Sequence, residues 1–285
     1  MNIDILVKSA SRLFSLPEIC MKIQDVIYDP SSSAADIAKL IAIDPALSVR
    51  LLKIANSSFY NFPSQIDSLG RAVNLIGTED LYNLALATCT PNAFSKLSNS
   101  DLIDIGSFWR HSVMTGLIGR SLGQSCSVRH SESLFLAGLF HNLGQLVVLE
   151  QVPESYIKIE QSKDDNKSPW EIEKEILEHT YSEIGSKLLV HWKMPTNILA
   201  LVSDQHNPAT SVEPRMASLV HISTRAASQL EYNRLTGFDF NQSILPVAWE
   251  STGLDNEDLH TAISISEMNC NTMLSAMTGK DMQVV

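Results

Sequence analysis

The sequence predicts an all-α protein, because helix punctuation recurs along almost the whole chain while alternating strand patterns rich in β-branched residues are missing. With 44% hydrophobic residues in a chain of 285, there is ample material for a continuous core in one large domain or two small ones. The predicted helices follow in order. Ser33-Ala34-Ala35-Asp36 is arranged as a capping box, with a side-chain oxygen for the exposed amides and an acid in the first turn. It starts a helix through Ile37-Ala38-Lys39-Leu40-Ile41. Asp44-Pro45 reads as an N-cap followed by proline at the first helical position, where the missing N–H costs nothing. Leu47, Leu51, Ile54 and Ala55 form the buried stripe of that helix, and Asn56 ends it. Asp67 is placed to cap a helix running to Ile76, Gly77 to end it in the left-handed conformation, and Thr78-Glu79-Asp80 to cap the next, which Pro91 is expected to end.

The polar run Ser95 to Asp101 is the best candidate for a boundary or hinge, giving an N-terminal helical lobe over residues 1–100 and a helical bundle over 101–285. A long helix is predicted around Phe108 to Leu122. Leu134 to Leu149 is greasy on every face and is read as one central helix. Gln161 to Lys167 is a charged surface loop. Ser168-Pro169-Trp170-Glu171 combines an N-cap, a first-turn proline and a capping-box acid, so a helix runs to about Glu178. Further helices are expected from about Ser182 to Trp192, from Pro195 toward His206, and from Asn256 to Met277.

Composition narrows the function. A formal charge of −11 and a pI near 5.1 oppose binding to nucleic acid or an anionic membrane through the overall field. Cys20, Cys89, Cys126 and Cys270 are far apart and form no CxxC pair, which suits reduced thiols in a cytoplasmic protein. The N-terminus has an early acid and no long apolar stretch behind a basic region, and Leu134 to Leu149 is interrupted by His141, Asn142 and Gln145. Neither a Ser-His-Asp arrangement nor a glycine-rich phosphate loop is present.

Two ordered sets of motifs carry a family likeness. The first is Leu16-Pro17-Glu18, then the run Ile43-Asp44-Pro45-Ala46-Leu47-Ser48-Val49-Arg50-Leu51-Leu52-Lys53-Ile54-Ala55-Asn56-Ser57, then Ala72-Val73-Asn74-Leu75-Ile76-Gly77. The second is Ala137-Gly138-Leu139-Phe140-His141-Asn142-Leu143-Gly144, Ile184-Gly185, Trp192-Lys193-Met194-Pro195, His206-Asn207-Pro208 and Val220-His221-Ile222. Over roughly residues 14–225 the chain resembles the HDOD family, a branch of the HD phosphohydrolase superfamily found in bacterial signalling proteins. The resemblance implies an all-α, two-lobed fold with an N-terminal helical lobe packed on an HD-like bundle, and leaves activity to be argued from the site.

The superfamily's chemistry uses histidines and aspartates from several helices around one or two divalent metals that activate water and neutralise a phosphate. By resemblance His111 supplies the first histidine and His141 the histidine of the pair, but Asn142 stands where the aspartate belongs. Tyr181, Gln205 and Thr224 likewise replace expected ligands. A neutral amide does not balance metal charge as a carboxylate does. What remains is a residual set of His111, His141 and His206 with Asn142, enough imidazoles for zinc, iron or manganese with an open position; a shift of one helical turn brings in His179 or Asp204 instead. The plainer reading makes His141 and His111 buried polar residues satisfied by ordinary hydrogen bonds, His179, His191 and His221 surface or interhelical hydrogen-bonding residues, and Trp109, Trp170 and Trp192 packing anchors. The expected function is a noncatalytic signal-transduction module acting on a signalling protein partner or sensing a nucleotide or cyclic dinucleotide. The alternative is a metal-dependent phosphohydrolase acting on such a nucleotide.

Overall fold

The computed structural model describes residues 2–129, 131–163, 166–236 and 238–279, and among them regular structure is helical with no strand. The helices, in chain order, are α1 (Ile3–Leu13), α2 (Glu18–Ile27), α3 (Ala34–Ala42), α4 (Pro45–Ala55), α5 (Leu69–Ile76), α6 (Thr78–Ala93), α7 (Ile105–Ser125), α8 (Glu132–Phe140) and α9 (Leu143–Gln151). After them come α10 (Pro153–Gln161), α11 (Pro169–Leu177), α12 (Tyr181–His191), α13 (Thr196–Ser203), α14 (Pro214–Thr236), α15 (Pro246–Thr252) and α16 (Asn256–Thr278). Short 3-10 turns lie at Ser95–Asn99 and Pro208–Thr210.

Most start signals act as the sequence implies. Ser33 with Asp36, and Ser168 with Glu171, close reciprocal capping boxes, and Asp44 accepts the Leu47 amide ahead of Pro45. Three expectations are corrected. Ser68, one residue past Asp67, caps α5 by accepting from the Arg71 amide. Gly77 has a positive φ of 97° but a ψ of 158°, an extended form open only to glycine, and serves as the end of α5 and the start of α6 together. Pro91 does not end its helix: it sits in the last turn of α6, which continues to Ala93. The expected charged loop at 161–167 lies partly outside the described residues.

The chain forms two compact units. One combines residues 16–95 with those from Glu267 onward, that is α2 to α6 and the second part of α16. Its core includes Cys20, Ile23, Ile41, Leu47, Leu51, Ile54 and Leu81, and Ser58 and Lys53 reach Asn269 and Ser275 by hydrogen bonds of 2.6 and 2.8 Å. The other combines residues 1–15 with 96–266. The two units divide the chain after residues 15, 95 and 266. The N-terminal segment joins the later unit because α1 packs on α9 and α12, with the Trp192 indole N–H donating to the Phe14 carbonyl at 2.9 Å.

The predicted central helix is two helices. The chain bends at His141-Asn142, where Asn142 has φ −120° and ψ 16°, and the His141 carbonyl accepts from Gln205 Nε2 at 2.8 Å. By length and composition Glu132–Gln151 would suffice to cross a bilayer, yet 89% of its apolar window is buried in this unit. The site-bearing elements pack through glycine. A Cβ on Gly138 of α8 would lie 2.5 Å from the Gly116 Cα of α7, and one on Gly144 of α9 would overlap the Tyr181 carbonyl oxygen of α12. These crossings fix how closely the helices carrying His111, His141 and Tyr181 can approach.

Gly144→Ala is expected to destabilise the protein by about 2–4 kcal/mol through overpacking. Gly70→Ala, in α5 with nothing near the added methyl, is expected to be neutral or to gain up to about 1 kcal/mol. Denaturant midpoints for the two variants check the contrast.

Candidate functional site

Within the unit of residues 1–15 and 96–266 lies a cavity of about 570 Å³ whose wall includes His111, His141, Asn142, Trp170, Glu173 and Arg225. Its polar wall draws on α7 for His111, the α8–α9 bend for His141 and Asn142, α10 for Glu160, α11 for Trp170 and Glu173, the turn after α13 for Gln205 and His206, and α14 for Thr224 and Arg225.

The structure brings His111 and His141 together, with their Nε2 atoms 3.2 Å apart. Each ring is held from behind. His141 Nδ1–H donates to the Gly138 carbonyl at 2.6 Å, which fixes its tautomer and leaves Nε2 with a lone pair, and His111 Nδ1 is 3.0 Å from the Glu231 carboxylate. Such a facing pair needs a hydrogen or a cation between its nitrogens. The separation matches that of neighbouring ligands on a tetrahedral ion, roughly 3.3 Å for bonds of about 2.05 Å. Burial, then the adjacent His111, push His141 down to about 3, so it stays neutral at ordinary pH.

The remaining sequence-predicted positions turn elsewhere. The Asn142 amide donates to Gln145 Oε1 at 2.6 Å. His206 stacks on the Trp170 ring at 4.8 Å and its Nδ1 faces an Arg225 Nη2 at 3.1 Å, and burial followed by that guanidinium hold it well below the usual histidine range. Gln205 acts as a bracket, its amide donating to the His141 and Val202 carbonyls at 2.8 and 3.0 Å while its own carbonyl accepts from His221 Nδ1 at 2.7 Å. The Thr224 hydroxyl donates to the His221 carbonyl at 3.0 Å. His221 also accepts the Leu245 amide through Nε2, the interhelical hydrogen-bonding role its residue type suggested. Of the alternatives, His179 lies 3.6 Å from Glu183, and the Asp204 carboxylate accepts from the Ser203 hydroxyl.

A metal centre of the superfamily's kind does not fit this donor set. Two imidazole nitrogens converge, the Glu231 carboxylate is engaged behind His111, and the cationic Arg225 shares the cavity. Among the described residues no group of three or more His, Cys, Asp or Glu side chains is arranged to hold an ion.

Sequence reasoning missed Arg225, Glu231 and Glu173, and took Trp170 for a packing anchor. Trp109 and Trp192 are buried, but Trp170 is half-buried at the cavity wall with the Arg225 guanidinium 4.3 Å over its ring. The signal available in the sequence was the placement of Arg225, a lone cation within the small and apolar run Val220 to Ala227. Glu173 is buried, accepts the Tyr181 amide at 2.7 Å, and is pushed up to about 8 chiefly by desolvation.

These shifts have opposite consequences for stability. Glu173, raised from 4.5, contributes stability below its unfolded value that is lost as pH rises toward 8. His141, lowered from 6.5, contributes stability that is lost as pH falls from 6.5 toward 3. Glu173→Gln keeps an acceptor for the Tyr181 amide and cannot ionise. It is expected to match wild type at pH 5 and to melt a few degrees higher at pH 8, by about 1–3 kcal/mol; thermal melts of both proteins across that range check it.

A model of the HDOD domain matches residues 13–208. An uncharacterized protein of Treponema pallidum (strain Nichols) is 27% identical over 197 residues, a match covering 67% of this chain. The chain spans only 37% of that curated relative's length. Among solved structures, a Shewanella amazonensis SB2B protein named as a candidate phosphohydrolase superposes with a TM-score of 0.71 at 22% identity, covering 95% of this chain and 96% of that one. An HDOD domain protein with unknown function from Geobacter sulfurreducens gives 0.66 at 18% identity, covering 96% of each chain. A Marinobacter aquaeolei VT8 protein named as a candidate signal transduction protein gives 0.68 at 20% identity, covering 97% of this chain and 66% of that one. At these identities the solved structures speak for the fold alone, and together with the domain match, which takes in more than half of the chain, they lead to one conclusion: this chain belongs to the HDOD domain family.

Proposed function

We propose that this HDOD chain is a noncatalytic signal-transduction module that works through a protein partner or by sensing a small ligand, with the cavity described above as its receiving site. The observation that carries this reading is the donor set around His111 and His141. The superfamily's phosphoester chemistry uses aspartates beside the histidines to balance the charge of one or two divalent metals. Here Asn142 supplies a neutral amide already bound to Gln145, and Thr224 a hydroxyl already bound to backbone. The polar atoms that the superfamily's chemistry would spend on a metal are spent on hydrogen bonds at the start of α9 and within α14. A cavity of about 570 Å³ falls in the range of small-molecule sites, so ligand sensing is sterically reasonable.

One observation favours the second reading, a metal-dependent phosphohydrolase acting on a nucleotide or cyclic dinucleotide. His111 and His141 are backed by Glu231 and the Gly138 carbonyl, the kind of outer support that orients metal-bound imidazoles.

The two readings separate in a turnover assay. Purified chain supplied with zinc, manganese or iron(II) and a panel of nucleotides and cyclic dinucleotides is expected to release no product above the background of His141→Ala. Metal-dependent turnover that His141→Ala abolishes would falsify the noncatalytic reading. Restoring the missing acid by Asn142→Asp is expected to tighten manganese or zinc binding by about tenfold or more, measured by calorimetry; equal affinity in both proteins would show that position 142 does not set metal binding.

A further inference from the structure

Arg225 is buried, 2% exposed, in the middle of α14 and lines the cavity. A guanidinium taken out of water normally meets a carboxylate, because an unpaired buried charge costs several kcal/mol. This one meets none among the described residues. Its Nη1 donates to the Gln205 carbonyl at 3.2 Å and to the Thr224 hydroxyl at 3.0 Å, its Nη2 faces His206 Nδ1 at 3.1 Å, and its plane lies over the Trp170 ring. All four partners are uncharged. Of the five N–H donors of a guanidinium, these contacts use three, and Nε has no partner.

The acids of the same cavity make their hydrogen bonds and ion pairs away from Arg225, although Glu160 Oε1 is buried without a hydrogen-bond partner. Glu160 pairs with Lys163 at 2.6 Å, Asp104 caps α7, and Glu173 accepts the Tyr181 amide. The contrast with Arg120 is instructive. That arginine is also buried, in the same unit, and it is paired with Glu132 at 3.2 Å. Among the described residues the fold thus neutralises one buried guanidinium with a carboxylate and gives the other, at a cavity wall, none.

From this geometry we infer that the cavity binds a small molecule bearing an oxyanion group, a carboxylate or a phosphoryl, and that Arg225 is its counter-ion. The inference rests on the reading of the cavity as a ligand-sensing site and deepens it by naming the ligand's charge and recognition chemistry. Trp170 packs against the guanidinium and His206 holds one of its nitrogens, so that the group is fixed in place before the anion enters. The cation at this cavity wall is the protein's own guanidinium, and it attracts an anion without activating water.

The test uses the full chain in thermal melts at pH 7, comparing inorganic phosphate and acetate with chloride at matched ionic strength. At least one of the two is expected to raise the Tm of wild type by about 4 °C near saturation. A rise with phosphate alone assigns a phosphoryl group, and a rise with acetate alone a carboxylate. Arg225→Met, which removes the charge and keeps most of the bulk, is expected to lose that rise. Ser228→Asp places a tethered carboxylate three residues along the same helix at the cavity wall. It is expected to melt higher than wild type in chloride and to respond to neither anion. The proposal is overturned if neither anion moves wild type relative to chloride, or if the rise survives in Arg225→Met. Should Arg225→Met fail to fold, an undiminished anion response in Ser228→Asp overturns it equally. Failure here is distinguishable from failure of the noncatalytic reading: metal-dependent turnover would sink that reading and leave anion binding by Arg225 standing, whereas absence of anion binding leaves the turnover result unchanged.

Discussion

Where α7 crosses α8 and α9 crosses α12, the backbones come so near that a single methyl group would collide with the opposite helix. Gly116 and Gly138 make the first crossing, Gly144 and Gly185 the second. Everything at the cavity inherits this spacing. The Nε2 atoms of His111 and His141 meet at 3.2 Å because their helices are in backbone contact one to two turns away. Tyr181, at the start of α12, presents its amide to Glu173 beside the same contact. Close approach of this sort substitutes van der Waals contact between main chains for the interleaving of side chains, and it tolerates little repacking.

A second layer of order comes from hydrogen bonds centred on Gln205. Its side chain holds the two carbonyls freed near the α8–α9 bend and the end of α13, and its own carbonyl takes up His221 and Arg225. One residue in a turn thereby joins α8, α13 and α14. The polar atoms in this network are mostly neutral, which is why burial moves His141, His206 and His221 below their ordinary values. Arg225 is the exception: burial lowers it only to about 9, so it retains its charge at neutral pH.

Much of this was legible before the structure, and for identifiable reasons. Helix starts at Ser33, Asp44 and Ser168 were readable because capping is local chemistry, settled by three or four consecutive residues. The bend at His141-Asn142 was not, since an all-apolar stretch carries no periodicity to break and Gln205 satisfies the carbonyl from far along the chain. Pro91 misled for a similar reason: near the end of a helix its missing N–H removes a single bond, and α6 runs past it. At the site, the family resemblance put His111, His141 and His206 in one set, and the structure brings the first two within 3.2 Å. The resemblance did not foresee that His206 belongs to Trp170 and Arg225, because which partner a side chain chooses depends on distances that only the packed helices define.

The bend between α8 and α9 also bears on synthesis. Its carbonyl is satisfied by a side chain 64 residues downstream, and its apolar faces are covered in part by α13 and α14, which are made later. A ribosome adding about 5–20 residues per second therefore leaves the greasiest stretch of the chain outside the exit tunnel for several seconds before its covering helices exist. During that interval Glu132–Gln151 is an exposed hydrophobic segment with the composition of a membrane span. The same burial that makes it central in the finished unit leaves it only partly covered, by α1 and α7, until α13 and α14 have been made.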